Sequence, residues 1–118
     1  MGDKFKELIV WQRAKDLAVR IYMISNSGAL NKDFGLRDQI RRAAVSIPSN
    51  LAEGDERGSD RDAVRFFYIA KGSLAELRTQ LQIAREIGYL EKELFESLDK
   101  AFQELGTMIG SLIKARRQ

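Results

Sequence analysis

The sequence predicts an all-α protein, an up-down-up-down antiparallel four-helix bundle that residues 1–118 form as a single domain. Three observations predict this fold class. In four long stretches apolar residues recur at steps of three and four, which keeps them on one face of a helix. Short segments rich in Ser, Asn and Gly join these stretches. No stretch shows the strict alternation that indicates a β-strand.

The first predicted helix runs from about Leu8 to Ser25, and Gly28 is suited to the left-handed conformation that commonly ends a helix. The second helix spans about Lys32 to Asp55, with Asn31 as its candidate N-cap. Short connections of this kind make neighbouring helices antiparallel.

The third helix begins after an N-cap at Ser59 and continues to about Ile87, with Phe66 and Phe67 on its apolar face. The fourth helix runs from about Glu91 to Lys114. Gly72 lies in the middle of the third helix, where glycine costs about 1 kcal/mol relative to alanine. We therefore expect Gly72 to permit the close approach of a neighbouring helix.

The second helix carries two parallel stripes and the only proline of the chain, Pro48. Its apolar stripe consists of Leu36, Ile40, Ala43, Ile47 and Leu51. Proline removes an amide donor and clashes with the carbonyl four residues earlier, which either kinks a helix or ends it. Both stripes keep their phase across this position, so we predict a helix that is kinked at Pro48 rather than broken there.

The second stripe is polar, and the third helix carries a shorter counterpart. Its members on the two helices are Gln39, Arg42, Ser46, Asn50, Glu53, Ser73, Glu76 and Gln80. If the two helices are neighbours, Arg42 and Glu76 can pair. We interpret the stripe as a structural network that fixes helix register, in which each polar group needs a partner. A binding pocket inside the bundle and a contact between subunits are the alternatives.

The residue types exclude several kinds of catalysis. The chain has no cysteine and no histidine, so it lacks the thiol nucleophile, the imidazole base and the commonest zinc ligands. Glu53 and Glu76 could in principle serve as acid and base or bind a hard cation. Beside an arginine, however, two glutamates are more simply an ion-pair cluster. We predict no catalytic residue, no metal site and no cofactor, and hence a protein that is not an enzyme.

Several arginines are candidates for contact with nucleic acid. Arg61, Arg65 and Tyr68 share one face of the third helix, where they could hold phosphates and stack on an unpaired base. The candidate residues are Arg57, Arg61, Arg65, Arg37, Arg41, Arg116 and Arg117. The alternative is a solvated surface, since the net charge is only +3 and carboxylates lie nearby: Asp55, Glu56, Asp60 and Asp62. A symmetric oligomer would multiply the signal of one chain into a basic ring.

The outer side of the second helix presents the compact apolar residues Val45, Pro48 and Ala52, which suit an interface between copies of the chain. Tyr22 and Met23 of the first helix could extend this surface. The alternative is a scatter of surface apolar residues, which is normal. No apolar run approaches the roughly 20 residues that cross a bilayer, so we expect a cytoplasmic protein without membrane contact.

Three segments carry a resemblance to a known family. They are WQRAKDLAVRIY, GLRDQIRRAAVSIPSNLAEG and FFYIAKGSLAELRTQLQIA. They resemble the four-helix-bundle proteins of the ribosomal RNA intervening-sequence family, encoded within bacterial large-subunit ribosomal RNA genes and as separate genes. The matching positions of the motif are Gln39, Arg42, Ala43, Ser46, Ile47, Asn50, Ala52, Glu53, Gly54, Gly72, Ser73 and Glu76. Where members commonly have a proline-containing loop, this chain reads SGALNKDFG.

This resemblance implies a left-handed up-down bundle that assembles as a homopentamer. The same fold is similar to the accessory protein of diversity-generating retroelements, which binds a reverse transcriptase and nucleic acid. The resemblance carries no catalytic residue. The expected function is therefore non-catalytic: an oligomer that binds RNA or DNA through a basic surface formed on assembly. The alternative is an interaction scaffold or accessory subunit that docks a protein such as a reverse transcriptase.

Overall fold

A computed structural model describes residues 4–117 of the chain. A short 3₁₀ turn, Lys4–Glu7, precedes five α-helices. The helices are α1 (Ile9–Ile24), α2 (Gly28–Lys32), α3 (Phe34–Asp55), α4 (Asp60–Glu86) and α5 (Lys92–Arg116). No strand occurs in this part of the chain. The four long helices agree with the predicted ones to within two residues at each end, which confirms the all-α prediction.

The five-residue helix α2 was not predicted, because five residues are too few for a helical period to be recognised. It buries Leu30 and begins at Gly28, whose φ is +72°. The prediction that Asn31 caps the second long helix is wrong. Since α2 extends to Lys32, α3 begins later and Asp33 is its cap, accepting a hydrogen bond from the amide of Leu36 at 3.1 Å.

The four long helices surround one apolar core. Helix α3 packs against α1 and α4, and α5 packs against α4 and α1, so that α1 and α4 lie diagonally across the bundle. The largest fully buried apolar side chains are Ile21, Ile40, Ile47, Leu51, Phe67, Leu77, Leu98, Phe102, Leu105 and Ile109. Within residues 4–117, none of the helices has both the length and the apolarity needed to cross a membrane.

Helix α3 is continuous from Phe34 to Asp55 and contains Pro48 in its interior. The alternative that the helix ends at this proline is therefore excluded. Pro48 itself is buried. The helix continues although Pro48 has no amide donor. The apolar stripe faces the core on both sides of the proline.

Three contacts define the seam between α3 and α4. The end of α3 approaches the beginning of α4 at Gly54, beside Phe67. The middles of the two helices meet where the Ser46 and Ser73 hydroxyls are 2.8 Å apart. The cap of α3 meets the turn after α4, where Tyr89 donates to Asp33.

Gly54, rather than Gly72, permits the close approach of α3 and α4. The expectation that Gly72 allows another helix of the same chain to approach is wrong. A Cβ built on Gly54 would lie 2.6 Å from Cε1 of Phe67 and 3.0 Å from the carbonyl oxygen of Ala63. A Cβ on Gly72 would meet nothing within 4 Å, because Gly72 faces outward. The intimate contact is therefore at the end of the seam rather than at its middle.

We predict that Gly54→Ala lowers the free energy of unfolding by about 1–3 kcal/mol, because the added methyl group displaces Phe67 and the α4 backbone. The matched control is Gly110→Ala inside α5, where an added Cβ would meet nothing within 4 Å and should raise stability by up to about 1 kcal/mol through helix propensity alone. Urea unfolding of both variants measures the difference. Equal stability of Gly54→Ala and the parent chain would contradict the role of this contact.

The turn after α4 is fixed to the beginning of α3. The amide of Tyr89 bonds to the carbonyl of Ala84 and that of Gly88 to the carbonyl of Arg85, the pattern of a Schellman motif with Gly88 at φ +89°. The Tyr89 hydroxyl donates to Oδ2 of Asp33 at 3.0 Å. This hydrogen bond, assisted by burial and by the charge of Asp33, raises the pKa of Tyr89 above its ordinary value of 10.0.

Because the folded chain holds the Tyr89 proton more tightly than the unfolded chain, this bond should stabilise the fold fully below about pH 10. Its contribution is lost as the pH rises through the higher pKa of the folded state. We predict that Tyr89→Phe loses less stability than the parent chain between about pH 8 and pH 11. Urea unfolding at both pH values tests this, with Tyr22→Phe as the control; an identical loss in all three chains would contradict it.

Candidate nucleic-acid interface

Five of the seven candidate arginines meet at one end of the bundle, where α3 ends, α4 begins and α5 ends. We call this region the arginine end; its members are Arg57, Arg61, Arg65, Arg116 and Arg117. The sequence builds it locally. The close approach at Gly54 brings α4 against α3, and the Ser59 hydroxyl begins α4 by accepting from the amide of Asp62 at 3.3 Å.

Arg116 holds the arginine end together from within. Its guanidinium donates to Oδ1 of Asp55 at 2.7 Å and lies 3.8 Å from Asp60. The side chain of Asp55 is only 1% exposed, and its other oxygen, Oδ2, has no hydrogen-bond partner in the described part of the chain. A carboxylate buried in this way depends on its cation. Arg116 thus has a structural role, the neutralisation of the buried Asp55 carboxylate.

Arg57 and Arg65 share the ring of Phe66. The guanidinium carbons lie 4.3 Å and 5.2 Å, respectively, from the ring centroid, within the range of cation–π attraction. Arg57 also donates to Glu53 at 3.2 Å. Arg65 is exposed and forms no ion pair with any described residue, so its charge remains available to a ligand.

Arg61 and Arg117 border an open cavity of about 300 Å³ between the first turns of α4 and the last turn of α5. Asp60, Val64 and Arg116 complete its lining. Arg117 donates to the hydroxyl of Tyr68 at 3.2 Å. Neither Arg61 nor Arg117 is paired with a carboxylate among the described residues. The cavity therefore presents guanidinium groups to solvent.

Arg37 and Arg41 lie toward the other end of the bundle, about 30 Å and about 24 Å, respectively, from Arg57 at 1.5 Å per helical residue. Arg37 bonds to Asp38 and Asn31. Arg41 donates to the Ser25 hydroxyl at 2.8 Å and stacks on Tyr22. The seven candidates therefore do not form one surface on a single chain. Arg37 and Arg41 contact residues at their own end of the bundle.

The charge of the arginine end is nearly balanced. Its basic side chains are Arg57, Arg61, Arg65, Lys114, Arg116 and Arg117, and the carboxylates around them are Glu53, Asp55, Glu56, Asp60 and Asp62. The excess is a single positive charge. One excess charge by itself gives only weak, salt-sensitive attraction to phosphate.

The polar stripe lies on the surface along the α3–α4 seam. Ser46 bonds to Ser73, and the amide of Asn50 donates to the carbonyl and hydroxyl oxygens of Ser46 at 2.8 Å and 3.0 Å. Arg42 and Glu76 form no ion pair within 4.0 Å. The exposed members, which lie outside the bundle interior, are Gln39, Arg42, Glu53 and Glu76. Throughout residues 4–117, no three acidic side chains are grouped as a metal site requires.

Gln80 is the buried member of the α4 stripe, and its Oε1 has no hydrogen-bond partner in the described chain. An unpaired buried acceptor costs free energy. Hydrogen bonds between members of the stripe therefore join only Ser46, Asn50 and Ser73 among the described residues. A register-fixing role rests on these three residues, and a pocket inside the bundle has no support from the stripe.

A second surface, between α1 and α3, is apolar. We call it the α1–α3 groove; its lining residues are Lys15, Ala18, Val19, Tyr22, Met23, Val45 and Pro48. It is an open depression of about 350 Å³ without an exposed polar lining atom. Met23 on its rim is 72% exposed. Val45 and Pro48 of the predicted interface line this groove, whereas Ala52 is not among the lining residues.

The sequence matches the family described as 23S rRNA-intervening sequence protein over residues 6–111. The chain belongs to this family. Its fold is similar to the crystal structure of a protein of unknown function of the S23 ribosomal protein family from Bacteroides thetaiotaomicron. That similarity has a TM-score of 0.82 and 27% identity and covers 90% of this chain and 99% of the other. No curated protein matches the sequence. Arg116 and Arg117 lie beyond the residues that match the family.

Sequence reasoning missed two residues of the arginine end. Asp55 was interpreted as one of several surface carboxylates, but it is the buried partner of Arg116. Phe66, assigned with Phe67 to the core, is instead the platform for two arginines. The available signal was the pair Phe66–Phe67 itself, since two adjacent helical residues point 100° apart and cannot both face the centre of the core.

We predict that Arg116→Met lowers the free energy of unfolding by on the order of 3 kcal/mol, because it leaves the buried Asp55 carboxylate without a cation. The matched control, Arg117→Met, removes the neighbouring exposed arginine and should change stability by less than about 0.5 kcal/mol. Thermal and urea unfolding distinguish the two. If both variants were as stable as the parent chain, the structural task assigned to Arg116 would be refuted.

Proposed function

We propose that this protein is a non-catalytic module that associates with itself and binds RNA or DNA through its arginine end. The observation that carries the proposal is the pair of unpaired, solvent-facing arginines at the cavity, together with exposed Arg65. The family to which the chain belongs is described as 23S rRNA-intervening sequence protein. This association with ribosomal RNA supports the proposal of contact with nucleic acid.

The near balance of charge at the arginine end is our reason for including self-association in the proposal. A single copy offers one excess positive charge at the arginine end, whereas a ring of copies would place several arginine ends on one side of the assembly. The resemblance to pentameric bundles sets the expected number at five. Binding energy would then come from several weak contacts acting together.

The chain offers two distinct apolar surfaces for such a ring. The α1–α3 groove is one; the other is the outer face of α4, where Ile69 and Ile83 are exposed on either side of Gly72. Because α1 and α4 are diagonal in the bundle, these surfaces face different directions. Two unlike surfaces favour a head-to-tail contact, which generates closed rings. An exposed Gly72 would let a neighbouring copy approach α4 closely.

The relative directions of the four long helices are also part of this proposal. We infer an up-down-up-down bundle, supported by the end-to-start contacts of the α3–α4 seam and by the pair Arg78–Asp99 between α4 and α5. We also infer that α3 bends at Pro48, since a proline clashes with the carbonyl four residues before it. Such a bend would shape the groove that Pro48 lines.

We predict that Val45→Glu dissociates the assembly to a chain of 13.4 kDa, because it places a carboxylate in the apolar groove. The control is Gln103→Glu on the exposed side of α5, which should keep the parent mass. Native mass spectrometry and light scattering provide the measurement. A monomeric parent protein would refute self-association, and an unchanged mass of Val45→Glu would refute the role of the groove.

We predict that Arg61→Glu with Arg65→Glu weakens binding to a labelled RNA hairpin by more than about tenfold and lowers the slope of log affinity against log salt by about two. The control, Arg13→Glu with Lys100→Glu, makes the same change in net charge on other surfaces. Fluorescence anisotropy over a salt series measures both. Equal affinities of the two double variants would contradict a localised interface.

The groove also favours a second function, that of an accessory subunit that docks another protein such as a reverse transcriptase. An apolar depression of this size suits a helix or aromatic anchor of a partner. The oligomer measurement separates the two readings. A parent protein that is monomeric, with the groove free, favours the accessory role, whereas loss of the assembly in Val45→Glu assigns the groove to copies of the chain.

A further inference from the structure

Tyr68 differs from the other exposed aromatic residues of the described chain. Phe34, Tyr22 and Tyr68 are the exposed ones, and guanidinium groups cover the first two: Arg37 lies 4.8 Å from the Phe34 centroid and Arg41 lies 4.7 Å from that of Tyr22. No cation lies over Tyr68 in residues 4–117. Tyr68 is 46% exposed, and with no described cation over it the ring is accessible from solvent.

The ring of Tyr68 is also held in place. Its hydroxyl accepts a hydrogen bond from Nη1 of Arg117 at 3.2 Å. Its backbone lies in the interior of α4, two turns beyond Arg61 and one turn beyond Arg65, on the same exposed face. A side chain fixed at its tip and anchored on a rigid helix loses little conformational freedom when a ligand stacks on it.

Three arginines without a carboxylate partner lie near Tyr68 in the described chain: Arg61 and Arg65 precede it on the same face of α4, and Arg117 bonds to its hydroxyl. Arg61 and Arg117 present their guanidinium groups at the cavity, and Arg65 lies one turn away on α4. Guanidinium groups bind phosphate oxygens through parallel N–H donors. A free aromatic face with arginines around it combines the two contacts that hold a nucleotide in single-stranded nucleic acid, a stacked base and flanking phosphates.

A base within a duplex has both faces covered by its neighbours, so it cannot stack on Tyr68 without leaving the helix. We propose that Tyr68, Arg61 and Arg117 form a site for an unpaired nucleotide of a single strand of RNA or DNA. This inference rests on the proposed nucleic-acid function and specifies the form of the ligand. Arg116 takes no direct part, because Asp55 occupies it.

The test compares purified full-length Tyr68→Ala and Tyr68→Phe with the parent chain. The probes are labelled single strands of about ten adenines, as RNA and as DNA, and a duplex of equal length. Loss of one stacked base should weaken binding of both single strands about five- to 150-fold in Tyr68→Ala. Tyr68→Phe keeps the ring but loses the hydrogen bond to Arg117, so it should retain most of the affinity that Tyr68→Ala loses. Duplex binding should be unchanged in both variants.

Phe34→Ala is the control, because it removes an exposed aromatic ring at the other end of the bundle and should leave all affinities unchanged. Native mass and the thermal unfolding midpoint establish that each variant keeps the parent's fold and assembly. Two results would refute the unpaired-nucleotide site while leaving the proposed function standing. In the first, the parent binds single strands and Tyr68→Ala binds them equally well. In the second, Tyr68→Ala weakens duplex binding as much as single-strand binding. If the parent binds neither probe, the proposed function fails as well.

Discussion

The close contact between Gly54 and Phe67 is the constraint on which the rest of the structure depends. Only a residue without a Cβ lets Phe67 and the first turn of α4 come this near to the end of α3. That approach fixes where the connection between the helices begins, and with it the positions of the residues that follow. Asp55, the very next residue, is buried as a result, and its carboxylate requires Arg116 from α5.

The arginine end is therefore a consequence of packing as much as of charge. Phe67 fills the space at Gly54, while the ring of Phe66 contacts the guanidinium groups of Arg57 and Arg65. Arg57 and Arg116 are paired with carboxylates of the chain, Glu53 and Asp55 respectively. Those left over, Arg61, Arg65 and Arg117, are the ones for which the bundle itself provides no partner carboxylate. Chemically identical side chains at this end thus differ in whether the fold supplies them with a carboxylate.

The sequence was sufficient for the four long helices because each carries a repeated apolar face, and repetition makes the signal robust. It also identified the Ser59 cap, which depends only on residues within one turn. What it could not supply were contacts between distant residues. Gly72 and Gly54 look alike in sequence, and only the neighbour in space decides which one is tightly packed. In the same way, the interpretation of Asp55 as a solvated carboxylate failed because its partner is 61 positions further along the chain.

That separation has a consequence for how the molecule is made. Asp55 is synthesised long before Arg116, so during translation the carboxylate must stay hydrated, and the end of α3 cannot be sealed against α4 until the last helix has emerged. The arginine end is accordingly the last region of the bundle to become complete. A chain that stopped before residue 116 would contain every predicted helix face and yet retain an uncompensated charge at the point where three helices meet.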